Sequence, residues 1–312
     1  MRIVFMGTPD FAAGVLKALI EAGEAPVLVV TQPDRKRGRG RELSVCDTAR
    51  LAREKNIPVF QPERVKRPEA VEEIARARPE LIIVAAFGQI LPPEILNLPE
   101  HGCVNVHASL LPKYRGASPI QRAIADGEKK TGVTLMQMDE GLDTGDILLQ
   151  EELIISPEDT GGSLFEKLSG LGAALMVRAL PLIEAGKLKR TKQDEALASY
   201  AGMIKKEDGR LDFAALSAVE AERLVRAYNP WPGTYTVYQG KVLKLWGAEV
   251  TEENSPGDMR PGTVTKAGKD ELIISCAEGS LKVTELQLEG KRRMNTGDFL
   301  KGTKISVGEF MG

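Results

Sequence analysis

Long apolar runs are missing. No stretch approaches the roughly 20 consecutive apolar residues that a helix needs to cross a bilayer. The opening Met1-Arg2-Ile3-Val4-Phe5 leads into a Gly/Pro turn instead of a cleavage site. Neither secretion nor membrane insertion is expected, and the cytoplasm is the expected location. Cysteine is scarce as well. Cys46, Cys103 and Cys276 are odd in number, far apart and without a C-x-x-C pair, so neither a disulfide framework nor a zinc knuckle is indicated, and no metal is expected. Net charge is nearly absent at −2, which argues against a nucleic-acid partner, because phosphate neutralisation needs concentrated Lys and Arg. That average conceals two clusters. Arg35, Lys36, Arg37, Arg39 and Arg41 crowd one short glycine-containing segment, and Lys291, Arg292, Arg293, Lys301 and Lys304 lie near the C-terminus. Either suits a phosphate backbone, although a charge run taken alone is more often a solvated loop or tail.

What is present is ordinary globular composition over 312 residues, enough for one large and one smaller domain. The first half alternates β-branched runs with helical periodicity: Ile3 to Met6, a helix from Phe11 to Ala22, Pro26 to Thr31, a helix around Ser44 to Lys55, a strand near Val59, a helix from Pro68 to Ala77, then the strands Leu81 to Ala86 and Cys103 to His107. This rhythm predicts an α/β fold with an open, mostly parallel, doubly wound sheet, whose ligands enter beyond the carboxyl ends of the strands. A helix from Ser163 to Ala185 follows. The polar, basic and weakly periodic stretch after it reads as a linker. The expected division is a first domain over 1–187, a linker over 188–206 and a second domain over 207–312. In the last, a helix from Ala218 to Tyr228 and short strands separated by Gly turns suggest a small barrel of the oligonucleotide-binding (OB-like) type.

Imidazole chemistry is confined to His101 and His107. In Cys103-Val104-Asn105-Val106-His107, strand alternation puts Asn105 and His107 on one face and the valines on the other. A neutral amide donor beside a titratable ring suits a reaction that develops an oxyanion. A carboxylate is wanted to orient the ring. Gly141-Leu142-Asp143-Thr144-Gly145-Asp146 offers Asp143, favoured here over Asp146, with Asp139 as a third possibility. Taken singly, His107 is more often a core histidine and Asp143 an ordinary turn residue.

The stretch Asn105-Val106-His107-Ala108-Ser109-Leu110-Leu111-Pro112, with Arg115-Gly116-Ala117 and Pro119-Ile120-Gln121 after it, resembles the folate-dependent formyltransferases, and Gly141 to Asp146 matches their second motif. Gly7-Thr8-Pro9-Asp10-Phe11-Ala12, the basic loop from Gln32 to Arg41 and Asn229-Pro230-Trp231-Pro232 narrow the resemblance to the branch that formylates methionyl-tRNA. The resemblance implies a Rossmann-like formyltransferase domain and a C-terminal tRNA-binding domain. It makes Asn105, His107 and Asp143 a catalytic trio, and Ser109, Leu110, Leu111 and Pro112 the lining of the site for 10-formyltetrahydrofolate. Phe87, Gly88 and Gln89 would join the pterin slot. Arg39 corresponds to an arginine used on the tRNA acceptor end, and Arg35, Lys36, Arg37 and Arg41 are candidates beside it.

The implied reaction is direct attack by the α-amino group of methionyl-initiator tRNA on the formyl carbonyl, with no covalent enzyme intermediate. A monomer is expected. The rivals are a formyltransferase acting on a sugar-nucleotide amine, a hydrolase releasing formate, and a non-enzymatic RNA-binding protein. Five cations in one short loop favour a phosphate backbone over a sugar. Gly7-Thr8-Pro9-Asp10-Phe11 lacks the later glycines of a dinucleotide-binding turn, which disfavours a dehydrogenase. Trp231 and Trp246 are read as core.

Overall fold

Short apolar runs separated by amphipathic helices fold as their pattern dictates, strands buried on both faces and helices laid across them. The computed structural model describes residues 1–37, 42–251 and 259–312, with the backbone alone described for 35–37 and 42–44. Two compact units result: residues 1–119, 130–154 and 165–201 form the first, and 120–129, 155–164 and 202–312 form the second.

In chain order the elements through the first half are β1 (Ile3–Gly7), α1 (Asp10–Glu21), β2 (Leu28–Val30), β3 (Arg35–Arg37), β4 (Glu42–Ser44), α2 (Asp47–Glu54), β5 (Val59–Phe60), α3 (Pro68–Arg76), β6 (Leu81–Ala85), α4 (Pro93–Leu96) and β7 (Cys103–His107). There follow β8 (Arg115–Gly116), α5 (Pro119–Ala125), β9 (Lys130–Gln137), β10 (Ile147–Ile154), α6 (Gly161–Glu184) and β11 (Tyr200–Ala201). The main sheet has the order β10-β9-β7-β6-β1-β2-β5. Its strands β7, β6, β1, β2 and β5 are parallel. The antiparallel additions β9 and β10 close one side, and the sequence pattern did not reveal them.

Strands β1, β6 and β7 are buried at every residue. One face packs Val4, Met6, Ile82 and Val84 with Ile74 of α3 and Ile95 of α4. On α1, Phe11, Ala12, Val15, Leu16 and Leu19 form the buried stripe, and the Phe11 ring meets Phe165 of α6 edge-on at 5.7 Å. Each such aliphatic side chain contributes about 1.5–3 kcal/mol on burial.

The expected linker, 188–206, belongs to the first unit as far as Ala201, because β11 pairs in parallel with β8 and Thr191 bridges Ile147. Weak periodicity here marks a segment held by polar contacts.

The second unit holds α7 (Ala218–Ala227), β12 (Thr234–Tyr238), β13 (Lys241–Thr251), β14 (Val264–Ala267), β15 (Leu272–Ser275), β16 (Ser280–Leu288), β17 (Met294–Asn295) and α8 (Thr296–Gly302). Ser217 and Glu220 cap α7 reciprocally, a capping box that fixes where the helix begins. The antiparallel sheet runs β12-β13-β16-β15-β14, with β17 on β16, over a core that includes Val225, Leu243, Leu245, Ile274 and Leu281. The expectation of a barrel needs correction. Among the described residues β12 and β14 do not pair, and the C-terminal residues bond to both sides of the gap. Val264 N donates to Glu309 O at 2.8 Å, Met311 N to Gly262 O at 2.8 Å and Gly312 N to Val237 O at 3.1 Å.

Candidate active site

Polar side chains knit the carboxyl ends of the parallel strands together. After β1, Thr8 Oγ1 accepts from Gln32 N at 3.1 Å and donates to Phe87 O at 3.4 Å. Gln32, after β2, donates its amide to Phe87 O at 3.0 Å. Gln61, after β5, offers Nε2 to Thr31 Oγ1, Gln32 O and Asp34 Oδ1, each at 3.0 Å. These bonds satisfy strand-end backbone that water would otherwise have to reach. They also hold Asp34, the residue before β3.

Strand β7 ends at this rim. Cys103 lies in the layer shared with Val84 and Ile95, and alternation carries Asn105 and His107 along the same side. Both are buried, at 9% and 6% exposure, and both meet one carboxylate. Asn105 Nδ2 donates to Asp143 Oδ1 at 3.4 Å, while His107 Nδ1 lies 3.7 Å from Asp143 Oδ2. On the other side of the ring, His107 Nε2 is 3.0 Å from Tyr114 O. A carbonyl only accepts, so Nε2 carries a proton and Nδ1 is the nitrogen turned toward the carboxylate. Gly116 N donates to Asp143 Oδ2 at 2.7 Å and fixes that oxygen. The distances around Nδ1 and Nδ2 are long for settled hydrogen bonds and leave both groups available to an incoming oxygen or nitrogen.

The three carboxylates that the sequence left open separate here. Asp139 Oδ1 accepts from Gly141 N at 3.0 Å and Thr144 Oγ1 at 2.7 Å, which shapes the loop. Asp146 carries the carbonyl that accepts from Gln137 N at 2.8 Å. Asp143 alone of these meets Asn105 and His107 among the described residues. It stands at φ 54°, in the left-handed region that Asp tolerates better than most side chains.

The other residues singled out from sequence divide. Leu110 and Pro112 are part-exposed, whereas Ser109 and Leu111 are buried. Ser109 Oγ donates to Lys113 O at 2.6 Å, and Leu111 N to Thr134 Oγ1 at 3.1 Å, so these two shape the loop after β7. Phe87 is buried with the α3 and α4 layer and offers its carbonyl to the rim. Gly88 is exposed at φ 76°, and a Cβ there would stand 2.5 Å from Gln32 Nε2. Gln89 is turned aside, with Oε1 accepting from Val65 N at 2.8 Å. Arg35, Lys36 and Arg37 lie on β3, paired antiparallel with β4, and Arg39 and Arg41 lie outside the described residues. Among the described residues no group of three His, Cys, Asp or Glu is placed to hold a metal, and no helix is long and apolar enough to cross a membrane.

Sequence reasoning gave no role to Tyr114 and Gly116, which act through backbone atoms, nor to Arg115, which is buried and bonded to part-exposed Gln193 and exposed Glu195. The Arg115 guanidinium, at 0% exposure, donates to Glu195 through two nitrogens at 2.9 and 2.7 Å, and to Gln193 Oε1 at 3.0 and 2.9 Å. Its bond to Glu195 holds the arginine's pKa above its ordinary value, and Arg115 in turn holds the Glu195 carboxyl below the usual carboxylate range. The available signal was the Arg115-Gly116-Ala117 stretch of the motif itself.

In the second unit Trp231 is 55% exposed, against the expectation of core. The Trp246 ring carries Lys244 Nζ at 5.2 Å and the Arg293 guanidinium at 4.9 Å. Arg293 also pairs with Glu285, and Lys301 with Asp298 at 2.8 Å, so part of the basic tail is neutralised.

Known proteins share this arrangement of chain. Residues 1–180 match the formyl transferase family, and 203–304 match the formyl transferase C-terminal domain. The N-formyltransferase from Helicobacter canadensis, solved with folinic acid and dTDP-3-aminofucose, is similar with a TM-score of 0.65 and 18% identity, covering 91% of this chain and 98% of that one. HypX from Aquifex aeolicus in complex with tetrahydrofolic acid gives 0.63 and 21%, covering 99% of this chain and 51% of that one. Likeness at such identities is likeness of fold. The methionyl-tRNA formyltransferase of Lachnospira eligens is 50% identical over 315 residues, covering 100% of both chains. With half its residues shared over that whole length, the chain belongs to the methionyl-tRNA formyltransferase family.

Proposed function

We propose that the chain formylates the α-amino group of methionyl-initiator tRNA at the Asn105, His107 and Asp143 trio, drawing the formyl group from 10-formyltetrahydrofolate. The observation that carries this reading is the meeting of two buried donors, Asn105 Nδ2 and the His107 ring, around one carboxylate at the carboxyl end of β7. The donor molecule supplies a formyl carbonyl whose nitrogen shares its lone pair with an aromatic ring, which leaves the carbon open to a free amine. The rim fits such a group: part-exposed Leu110 and Pro112 and the bare backbone of Gly88 line it, and Gly88 at φ 76° holds a conformation that glycine adopts most readily.

Asn105 Nδ2 and the His107 ring stabilise the formyl oxygen as negative charge grows there. Each such donor is worth about 3–4 kcal/mol of barrier. Tyr114 O keeps the ring from turning, so Nδ1 stays aimed at the reacting group. Asp143, steadied by Gly116 N, balances the charge on the ring and passes the proton shed by the amine toward N10 as the carbon–nitrogen bond breaks. The acceptor end of the tRNA is assigned to the basic loop of Arg35, Lys36, Arg37, Arg39 and Arg41, with Arg39 foremost. The C-terminal unit is the further tRNA-binding part.

The test is to supply labelled 10-formyltetrahydrofolate with either charged initiator tRNA or an amino-sugar nucleotide. Label on the methionine amine supports the proposal. Label carried only by the sugar, or only as free formate, overturns it.

A further inference from the structure

The loop that presents Asp143 is gripped from two directions by the two residues of β8. Gly116 N holds the carboxylate, at 2.7 Å from Oδ2. Arg115 acts on the backbone of the same loop through Gln193. The Gln193 amide turns its oxygen to the guanidinium and its nitrogen to the loop, donating to Asp143 O at 2.8 Å and to Gly145 O at 2.8 Å. Both nitrogen protons and the oxygen are thus committed, which allows one orientation of the amide. Arg115 is itself held by Glu195, through two bonds at 2.9 and 2.7 Å. The parallel pairing of β8 with β11 fixes the spacing between the two segments, with Arg115 N donating to Ser199 O at 2.8 Å.

Asp143 at φ 54° occupies a left-handed backbone, which an L residue keeps most readily where its surroundings hold it. The Asp143 carboxylate meets Asn105 and His107 from this backbone conformation. We infer that Gln193, held by Arg115, is a positioning residue for the transfer reaction: its two bonds to Asp143 O and Gly145 O set the backbone from which the Asp143 carboxylate faces His107. This rests on the reading of Asp143 given above. Gln193 touches no reacting atom, and its effect passes entirely through Asp143.

The test is a double-mutant cycle. Gln193→Glu keeps the acceptor toward Arg115 but turns the donor into an acceptor against two carbonyls, so the guanidinium stays partnered while the loop is released. It is expected to lower kcat about 10²-fold, as ångström-scale misplacement of a reacting group does, with both KM values changed less than about threefold. Introduced into Asp143→Ala, the same change is expected to lower kcat by less than a further factor of about two, because the group it positions is gone. A merely structural defect would repeat its full loss in both backgrounds. An undiminished loss in the Asp143→Ala background, or wild-type kcat in Gln193→Glu alone, overturns the inference. Wild-type turnover in Asp143→Ala itself would instead remove the reading of the site, and the inference with it. Should Gln193→Glu fail to fold, Gln193→Met fills similar volume without either amide atom and is read in the same cycle.

Discussion

Asn105 and His107 lie two residues apart on one strand and share one carboxylate, yet their other partners differ, and this predicts different behaviour on substitution. Asn105→Ala removes a donor and leaves His107 and Asp143 supported by Tyr114 O and Gly116 N. Its kcat should fall about 10²–10³-fold with the folate KM nearly unchanged, measured by steady-state formyl transfer. Near-normal turnover would remove Asn105 from the mechanism. His107→Ala should lose at least as much, since it removes both the ring and its approach to Asp143. A residue remote from the site gives a different test. Thr236 Oγ1, in β12, is the buried side-chain polar atom without a hydrogen-bond partner among the described residues. An unsatisfied buried hydroxyl costs about 1–3 kcal/mol, so Thr236→Val should raise the thermal midpoint of the second unit; a lower midpoint would show that the hydroxyl has a use.

The loop between β9 and β10 is built around glycine. A Cβ at Gly145 would stand 1.7 Å from Gln137 O, a backbone atom that cannot turn aside. Gly145→Ala should therefore displace the loop, abolish transfer and destabilise the first unit by about 1–3 kcal/mol, read together by activity and circular dichroism. An active, fully stable variant would mean that the loop can move without consequence. The same loop shows what the sequence could disclose. Strands β1, β6 and β7 were legible because burial on both faces demands unbroken apolar runs. Strands β9 and β10 were not, since Thr131, Thr134 and Gln137 interrupt one and Gln150, Glu151 and Glu152 the other. His107 stood out because the chain has only two histidines. Gln193 did not: it lies 78 residues from Arg115 and takes part through an amide, a group found throughout any chain. The segment 188–201 looked like a linker for the same reason, its order coming from polar contacts that leave no period. The expected OB-like barrel came out as an antiparallel sheet without closure, because pairing at a sheet's ends depends on what else bonds to those edges, here residues 309–312.

At the scale of the molecule, each unit carries one deeply buried thiol. Burial pushes both Cys103 and Cys276 up to about 12, far from the thiolate form that reacts, whereas Cys46 is only part-buried at the head of α2. A disulfide exchange reagent at neutral pH should titrate one thiol in the native protein and three after denaturation. A second fast native thiol would show that one of the cores opens. The basic loop has its own signature. The KM for tRNA should rise steeply with salt while that for the folate stays nearly flat, as release of counterions from a phosphate backbone requires. Equal salt dependence of the two would sink the assignment of Arg35 to Arg41.

The distribution of indole rings sets how the two units can be watched apart. Trp231 and Trp246 are the chain's two tryptophans and both lie in the second unit, one open to water and one under two cations. Intrinsic emission excited at the red edge of the absorption band therefore reports that unit alone, with the catalytic half dark. Unfolding followed in that channel and by far-ultraviolet dichroism will coincide only when the two halves melt together, so a single sample carries its own measure of their cooperativity.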